Sequence, residues 1–124
     1  MKNNYFSKEE LSCRHCGEYK FDEGFLELLN GIREECGFPL PVTSGYRCPK
    51  HPIEAAKKRP GAHSSGRAVD IKVSGERAHK LVSVALAMGV PRIGVKQKSG
   101  SEIYDRFIHL DWDITLPGPA IWSY

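Results

Sequence analysis

The chain reads as an α+β domain: a small, mostly antiparallel sheet with two main helices packed against it. Three observations lead there. Two stretches repeat apolar residues at spacings of three and four, several short runs are rich in strand-forming residues, and Gly, Pro and polar clusters separate them. The order is helix, strand, strand, helix, strand, strand. At 124 residues the chain is long enough for one core but not two, so residues 1–124 are expected to form a single domain.

The elements follow in order. Tyr5 to Leu11 fits one helical turn, with Ser7 as cap and Glu10 three residues later. Asp22 opens the first long helix, where Phe25, Leu28, Leu29 and Ile32 make one apolar stripe and Gly37 supplies the stop. Val42-Thr43-Ser44-Gly45-Tyr46 reads as a short strand, with Arg47 at its end. Pro52, Pro60 and Gly61 mark a loop that contains the basic run Lys57-Lys58-Arg59, read as a solvated face. Ile71-Lys72-Val73 is a strand preceded by Asp70. Gly75 opens the second long helix, with Ala78, Leu81, Val82, Ala85 and Leu86 on its apolar face and Gly89 at its end. Pro91 to Val95 is a strand, residues 96–101 a polar hairpin loop, and Ile103-Tyr104 with Phe107 to Leu110 the returning strand. Leu116 to Tyr124 reads as irregular, with aromatics folding back over the sheet or cleft.

Composition narrows the function classes. Hydrophobic content of 40% and charged content of 27% are those of an ordinary globular protein. A net charge of +3 suits an anionic polymer but is too small, and its basic residues too dispersed, to argue for nucleic acid. No apolar run approaches the ~20 residues of a membrane span, so no membrane partner is expected. Met1 to Phe6 holds no apolar signal core, so a chain that stays cytoplasmic as synthesised is expected. Nothing in the sequence asks for an oligomer, and a monomer is expected.

The chemistry concentrates in two stretches, Gly61 to Asp70 and Phe107 to Asp111. The first supplies His63 and Asp70, seven residues apart; the second supplies His109. Two imidazoles and a carboxylate make a three-ligand zinc set with one open position, the pattern of a catalytic rather than a structural ion. Gly61, Gly66 and Ala68 are small enough to let backbone pass close to an ion. The spacing alone also fits a surface loop with an incidental histidine. Arg47 is suited to gripping a carboxylate bidentately, or to an ordinary surface ion pair. Cys13 and Cys16 in C-x2-C, with Cys48 and His51 in C-x2-H, have the spacing of two chelating turns for a second, structural zinc; reduced thiols are the other reading. His15 lies between the first two cysteines and is read as solvent-facing.

The set H-x-x-G-x-A-x-D, a later H-x-D and the upstream Thr43-Ser44-Gly45-Tyr46-Arg47 resembles the zinc D-Ala-D-Ala carboxypeptidase and L-alanyl-D-glutamate endopeptidase family of peptidoglycan peptidases, many of them phage lysins. The resemblance covers roughly Phe21 to Asp113. It implies a Hedgehog/DD-peptidase-like fold, metal ligands at His63, Asp70 and His109, a substrate-binding Arg47, zinc as cofactor and bacterial peptidoglycan peptides as substrate. It also implies release to the wall as a phage or prophage lysin. Two departures are visible. Gly61 stands where the family usually has Ser, and Arg106 stands where much of the family has an acid. The general base must then come from elsewhere. Asp111 shares a strand face with His109 and is the expected base, with Asp105 as the alternative and a ligand-orienting role for Asp111 as the other. The competing function class is a zinc-stabilised wall-binding or interaction module, since the Hedgehog signalling domain keeps a related zinc site without established peptidase work.

Overall fold

The computed structural model describes residues 3–48, 50, 51, 53, 61–98 and 106–124. The basic run at 57–59, the strand start at 103–104 and the alternative base Asp105 lie outside the described residues. Helix α1 spans Lys8–Leu11, α2 Glu23–Cys36 and α3 Gly75–Ala87; a short 3-10 helix covers Ala62–Ser65. The strands are β1 (Val42–Ser44), β2 (Ala68–Ile71), β3 (Arg92–Lys96), β4 (Phe107–Asp111) and β5 (Ala120–Ser123).

The helix ends are set by local chemistry. The Ser7 hydroxyl accepts from the Glu10 amide at 3.2 Å while the Glu10 carboxylate accepts from the Ser7 amide at 2.9 Å, a reciprocal pair that satisfies two otherwise orphaned donors. Asp22 caps α2 by accepting from the Phe25 amide at 2.8 Å, and Gly37 ends that helix with φ of 76°. On α3 the buried stripe is narrower than the spacing suggests. Ala78, Leu81 and Ala85 are buried, whereas Leu86 faces solvent.

The five strands run in the order β1-β2-β4-β3-β5. Three pairings are antiparallel, as expected, but β3 and β5 pair in parallel, so the sheet is mixed. The parallel strand corrects the expectation of an irregular end. Pro117 and Pro119 cannot donate ladder hydrogen bonds, but the chain beyond them can. The Ala120 amide donates to the Pro91 carbonyl at 2.9 Å and the Tyr124 amide to the Val95 carbonyl at 3.2 Å.

Strand alternation divides the sheet into two faces. Val69, Ile71, Ile93, Ile108 and Leu110 turn towards the helices and are buried with Phe25, Leu29, Ile32, Leu81 and Ala85. Each such side chain contributes roughly 1.5–3 kcal/mol by leaving water, and this face holds the helices to the sheet. The intervening residues Ala68, Asp70, Arg92, Gly94, His109 and Asp111 therefore occupy the opposite face, which carries the polar groups. Among the described residues no helix is long and apolar enough to cross a membrane.

Candidate metal centre

One row of residues crosses the whole sheet. Ser44 pairs with Asp70, Asp70 with His109, His109 with Gly94 and Gly94 with Trp122. Asp70 and His109 are thus direct cross-strand neighbours on the two central pairing partners, β2 and β4. A Cβ on Gly94 would lie 2.7 Å from Trp122 Nε1, so glycine there is what lets the indole lie across the row. The Trp122 and His109 rings sit 5.4 Å apart.

His63 arrives from outside the sheet, on the 3-10 helix. Gly66 ends that turn with φ of 75°, and a Cβ there would come within 2.1 Å of the Lys20 carbonyl oxygen. The smallness of Gly66 thus serves packing against the segment before α2, not an approach to an ion. Gly45 is constrained in a similar way. Its Cβ would meet Leu11 backbone at 2.6 Å, and its carbonyl accepts from His63 Nδ1 at 2.7 Å.

That last bond fixes the His63 tautomer, because a carbonyl can only accept. Nδ1 carries the proton and Nε2 turns its lone pair to Asp70 Oδ1, 3.2 Å away. His63 is fully buried, and burial pushes its pKa down, so the ring is neutral. His109 presents Nδ1 to the same Asp70 oxygen at 2.8 Å, while its Nε2 donates to Asp111 Oδ2 at 2.6 Å. Burial works against charge on His109, but hydrogen bonds to Asp111 and Asp70 outweigh it and raise its pKa. Asp70 is held well below the usual carboxylate range: burial opposes this, and the contacts with His109 and His63 prevail. A neutral imidazole lone pair aimed at a carboxylate, deep in the protein, is the arrangement a cation resolves. His63, Asp70 and His109 offer three donor atoms within 4.8 Å of one another, and all three residues are buried. The donor set and the locked outer nitrogens fit zinc.

Asp111 has no exposed surface and its oxygens are engaged. Oδ2 accepts from His109; Oδ1 accepts from Arg92 Nε at 2.9 Å and from the Asp113 amide at 3.2 Å. The shared face foreseen for Asp111 and His109 is present, but the carboxylate is spent on the far side of the imidazole. Arg92 also donates to the Pro117 carbonyl and lies over the Trp122 ring at 4.8 Å.

Arg47 stands at the mouth of this arrangement. Its backbone amide donates to the His63 carbonyl at 3.1 Å and its carbonyl accepts from Ser64 Oγ at 2.8 Å. Its guanidinium reaches Ser44 Oγ at 3.0 Å and Asp70 Oδ2 at 3.4 Å. A cleft of about 410 Å³ is lined by Arg47, His63, Asp70, Arg92, His109 and the aromatics Phe107, Trp122 and Tyr124, among others. A larger hollow of about 630 Å³ lies between α3 and the sheet, and its described lining holds no converging set of metal ligands.

Residues 4–111 match the model of the peptidase M15 family. The chain belongs to that family. No curated protein and no solved structure matches it. M15 peptidases are zinc-dependent, and in this member His63, Asp70 and His109 are positioned to bind the metal. The family also makes a peptide the general class of substrate. Trp122 and Tyr124 line the cleft, as expected of terminal aromatics folding back over the sheet or cleft, whereas Arg92 was not foreseen there. Its only signal was an arginine opening a strand, which does not reveal the parallel pairing of β3 with β5.

Away from the cleft, Cys13, Cys16 and Cys48 come together, their sulfurs within 4.8 Å of one another. Burial would raise the Cys13 thiol, but amides of Cys48, Cys16 and His15 bring it down to about 7. His15 Nδ1 lies 3.6 Å from Cys48 Sγ, and the His51 ring stands beside that of His15. Cys36 is buried separately in the main core.

Proposed function

We propose that this M15 member is a zinc peptidase of the bacterial wall, hydrolysing a peptide bond next to a D-residue in peptidoglycan. The observation that carries the reading is the convergence of His63 Nε2, Asp70 Oδ1 and His109 Nδ1 on the floor of a cleft rimmed by a guanidinium. Zinc held there supplies Lewis acidity towards a peptide carbonyl and lowers the pKa of a water molecule to near ~7. The chain's own residues bind and orient the substrate and the ligands. Arg47 grips a substrate carboxylate, and its backbone ties to His63 and Ser64 keep it at a fixed distance from the donors. Trp122 and Tyr124 wall the cleft and exclude water from one side. Asp111 serves as the orienting carboxylate of His109 rather than as general base, held in turn by Arg92. The proposal includes a single-domain monomer that reaches the wall as a lysin does.

A second reading rests on one observation. Among the described residues lining the cleft, Asp70 is the sole carboxylate, and it is a ligand. A chain with no proton acceptor would be a zinc-stabilised wall-binding module. Incubating the zinc-loaded protein with purified peptidoglycan and identifying new termini by mass spectrometry decides between them. New termini that disappear with chelator support the peptidase; intact muropeptides with protein retained on the wall sink it in favour of the module.

A further inference from the structure

The cysteine cluster takes no part in the cleft chemistry, yet it is built as carefully. Cys13 and Cys16 sit on a tight turn closed by the Gly17 amide donating to the Cys13 carbonyl at 2.8 Å and by the Cys13 amide donating to the Glu18 carbonyl at 2.9 Å. Gly17, with φ of 75°, reverses the chain just after the second thiol. Two thiols three residues apart on such a turn point the same way. Cys48 comes from 35 residues further along and donates its amide to Cys13 Sγ at 3.3 Å. Its own turn closes by the His51 amide donating to the Cys48 carbonyl at 2.9 Å.

Three sulfurs at one point call for an explanation. Cys13 and Cys48 are buried while Cys16 reaches the surface, so the cluster lies just beneath the solvent boundary. A disulfide would pair two and leave the third alone. A tetrahedral zinc uses all three: with Zn–S near ~2.3 Å its S···S edges are about 3.8 Å, and the three sulfurs lie within 4.8 Å of one another. The same tetrahedron has an S···N edge of roughly 3.6 Å. His15 Nδ1 lies 3.6 Å from Cys48 Sγ, and the His51 ring stands edge-on to His15 with centroids 6.2 Å apart. Thiolates select zinc over the hard divalent cations.

We propose that Cys13, Cys16 and Cys48 hold a structural zinc ion, with an imidazole of the His15–His51 pair closing the fourth position. Binding releases the thiol protons to solvent and changes no oxidation state. The ion ties the segment after α1 to the residue next to Arg47. Together with the Tyr46 amide bond to the Leu11 carbonyl at 2.9 Å, it fixes the strand end that presents the guanidinium. This inference goes beyond the peptidase reading and does not depend on catalysis.

Metal counting on the full chain tests it. Wild type prepared with reductant and zinc should hold about two ions per chain, His63→Ala about one, and His63→Ala with Cys48→Ser about none. A mercurial should release one equivalent from wild type. Because Cys48→Ser could fail to fold, cobalt-substituted wild type supplies an independent readout: a thiolate-to-cobalt charge-transfer band that His63→Ala leaves in place. His15→Ala or His51→Ala should weaken binding and alter the cobalt ligand-field bands. One zinc in wild type, with Cys13, Cys16 and Cys48 freely reactive and no charge-transfer band, overturns the proposal. So does a Cys13–Cys16 disulfide found in protein purified under reductant. Histidine variants that both leave the spectrum and affinity unchanged mean an open fourth position, which also overturns it.

Discussion

Two clusters of potential metal ligands meet the short segment that follows β1: the Gly45 carbonyl accepts from His63 at one end of it, and Cys48 donates its amide to Cys13 at the other. At one end His63, Asp70 and His109 are buried, borne largely by paired strands, and each histidine is braced through its other nitrogen. At the other, Cys13, Cys16 and Cys48 sit on turns, and their bracing comes from backbone amides. The difference separates two roles. A reactive centre needs donors that hold position while one corner stays open to substrate, and sheet register with outer-shell carboxylates provides that. A fastening needs only that its four corners close, and turns suffice.

The largest effect should follow removal of a cleft ligand. His109→Ala or His63→Ala should abolish zinc at the cleft and reduce hydrolysis to background, while leaving the thiolate-dependent metal untouched. If cleft metal, read by elemental analysis, is unchanged in both variants, the ligand assignment fails.

Next comes Asp111→Asn, which sharpens the contrast by loosening the brace alone. Metal affinity should fall by about 10- to 100-fold, with activity restored by added zinc. A kcat lower by roughly 10²–10⁴ at full zinc occupancy would instead make Asp111 the general base. Arg47→Lys keeps the charge but not the fork, and should cost roughly tenfold in kcat/KM, mainly through KM, at unchanged zinc content. Wild-type kinetics would return Arg47 to its ion pair with Asp70.

The smallest effect concerns the scaffold behind His63. Asp22 caps α2, pairs with Arg67 at 3.1 Å and lends its amide to the Gly66 carbonyl beyond His63. Asp22→Ala should cost about 1 kcal/mol in denaturant unfolding. Burial tends to raise the Asp22 carboxyl, but the Phe25 amide and the Arg67 guanidinium hold it below its ordinary value. Its folded pKa being the lower one, the stability it lends is present above the unfolded value of ~3.9 and is lost as pH falls through the folded one. Acid unfolding of Asp22→Asn should therefore be less steep in that window. An identical acid limb would show that the pair contributes nothing.

Much of the molecule was legible in advance. The caps at Ser7 and Asp22 and both long helices follow from local spacing, because capping and helical periodicity act over a few residues; the three cleft ligands came from the resemblance of their motifs to a known family, since their spacing alone also fitted an incidental histidine. The parallel β5 was not legible, since its pairing with β3 is non-local and the preceding prolines break the strand pattern. Alternation placed Asp111 on the same face as His109, but which His109 nitrogen it meets depends on the third dimension. The choice between His15 and His51 beside the cysteines likewise depends on how two turns meet.

The row Ser44, Asp70, His109, Gly94, Trp122 carries one more consequence. Side chains alternate with a period of two, so a slip of β2 by one residue against β4 would turn Asp70 towards the helices and away from His109. A misregistered sheet would then have no place for the ion. A metal ion held at this site would favour the correctly threaded sheet over a slipped one. Folding in the presence of zinc should yield fewer slipped molecules than folding without it.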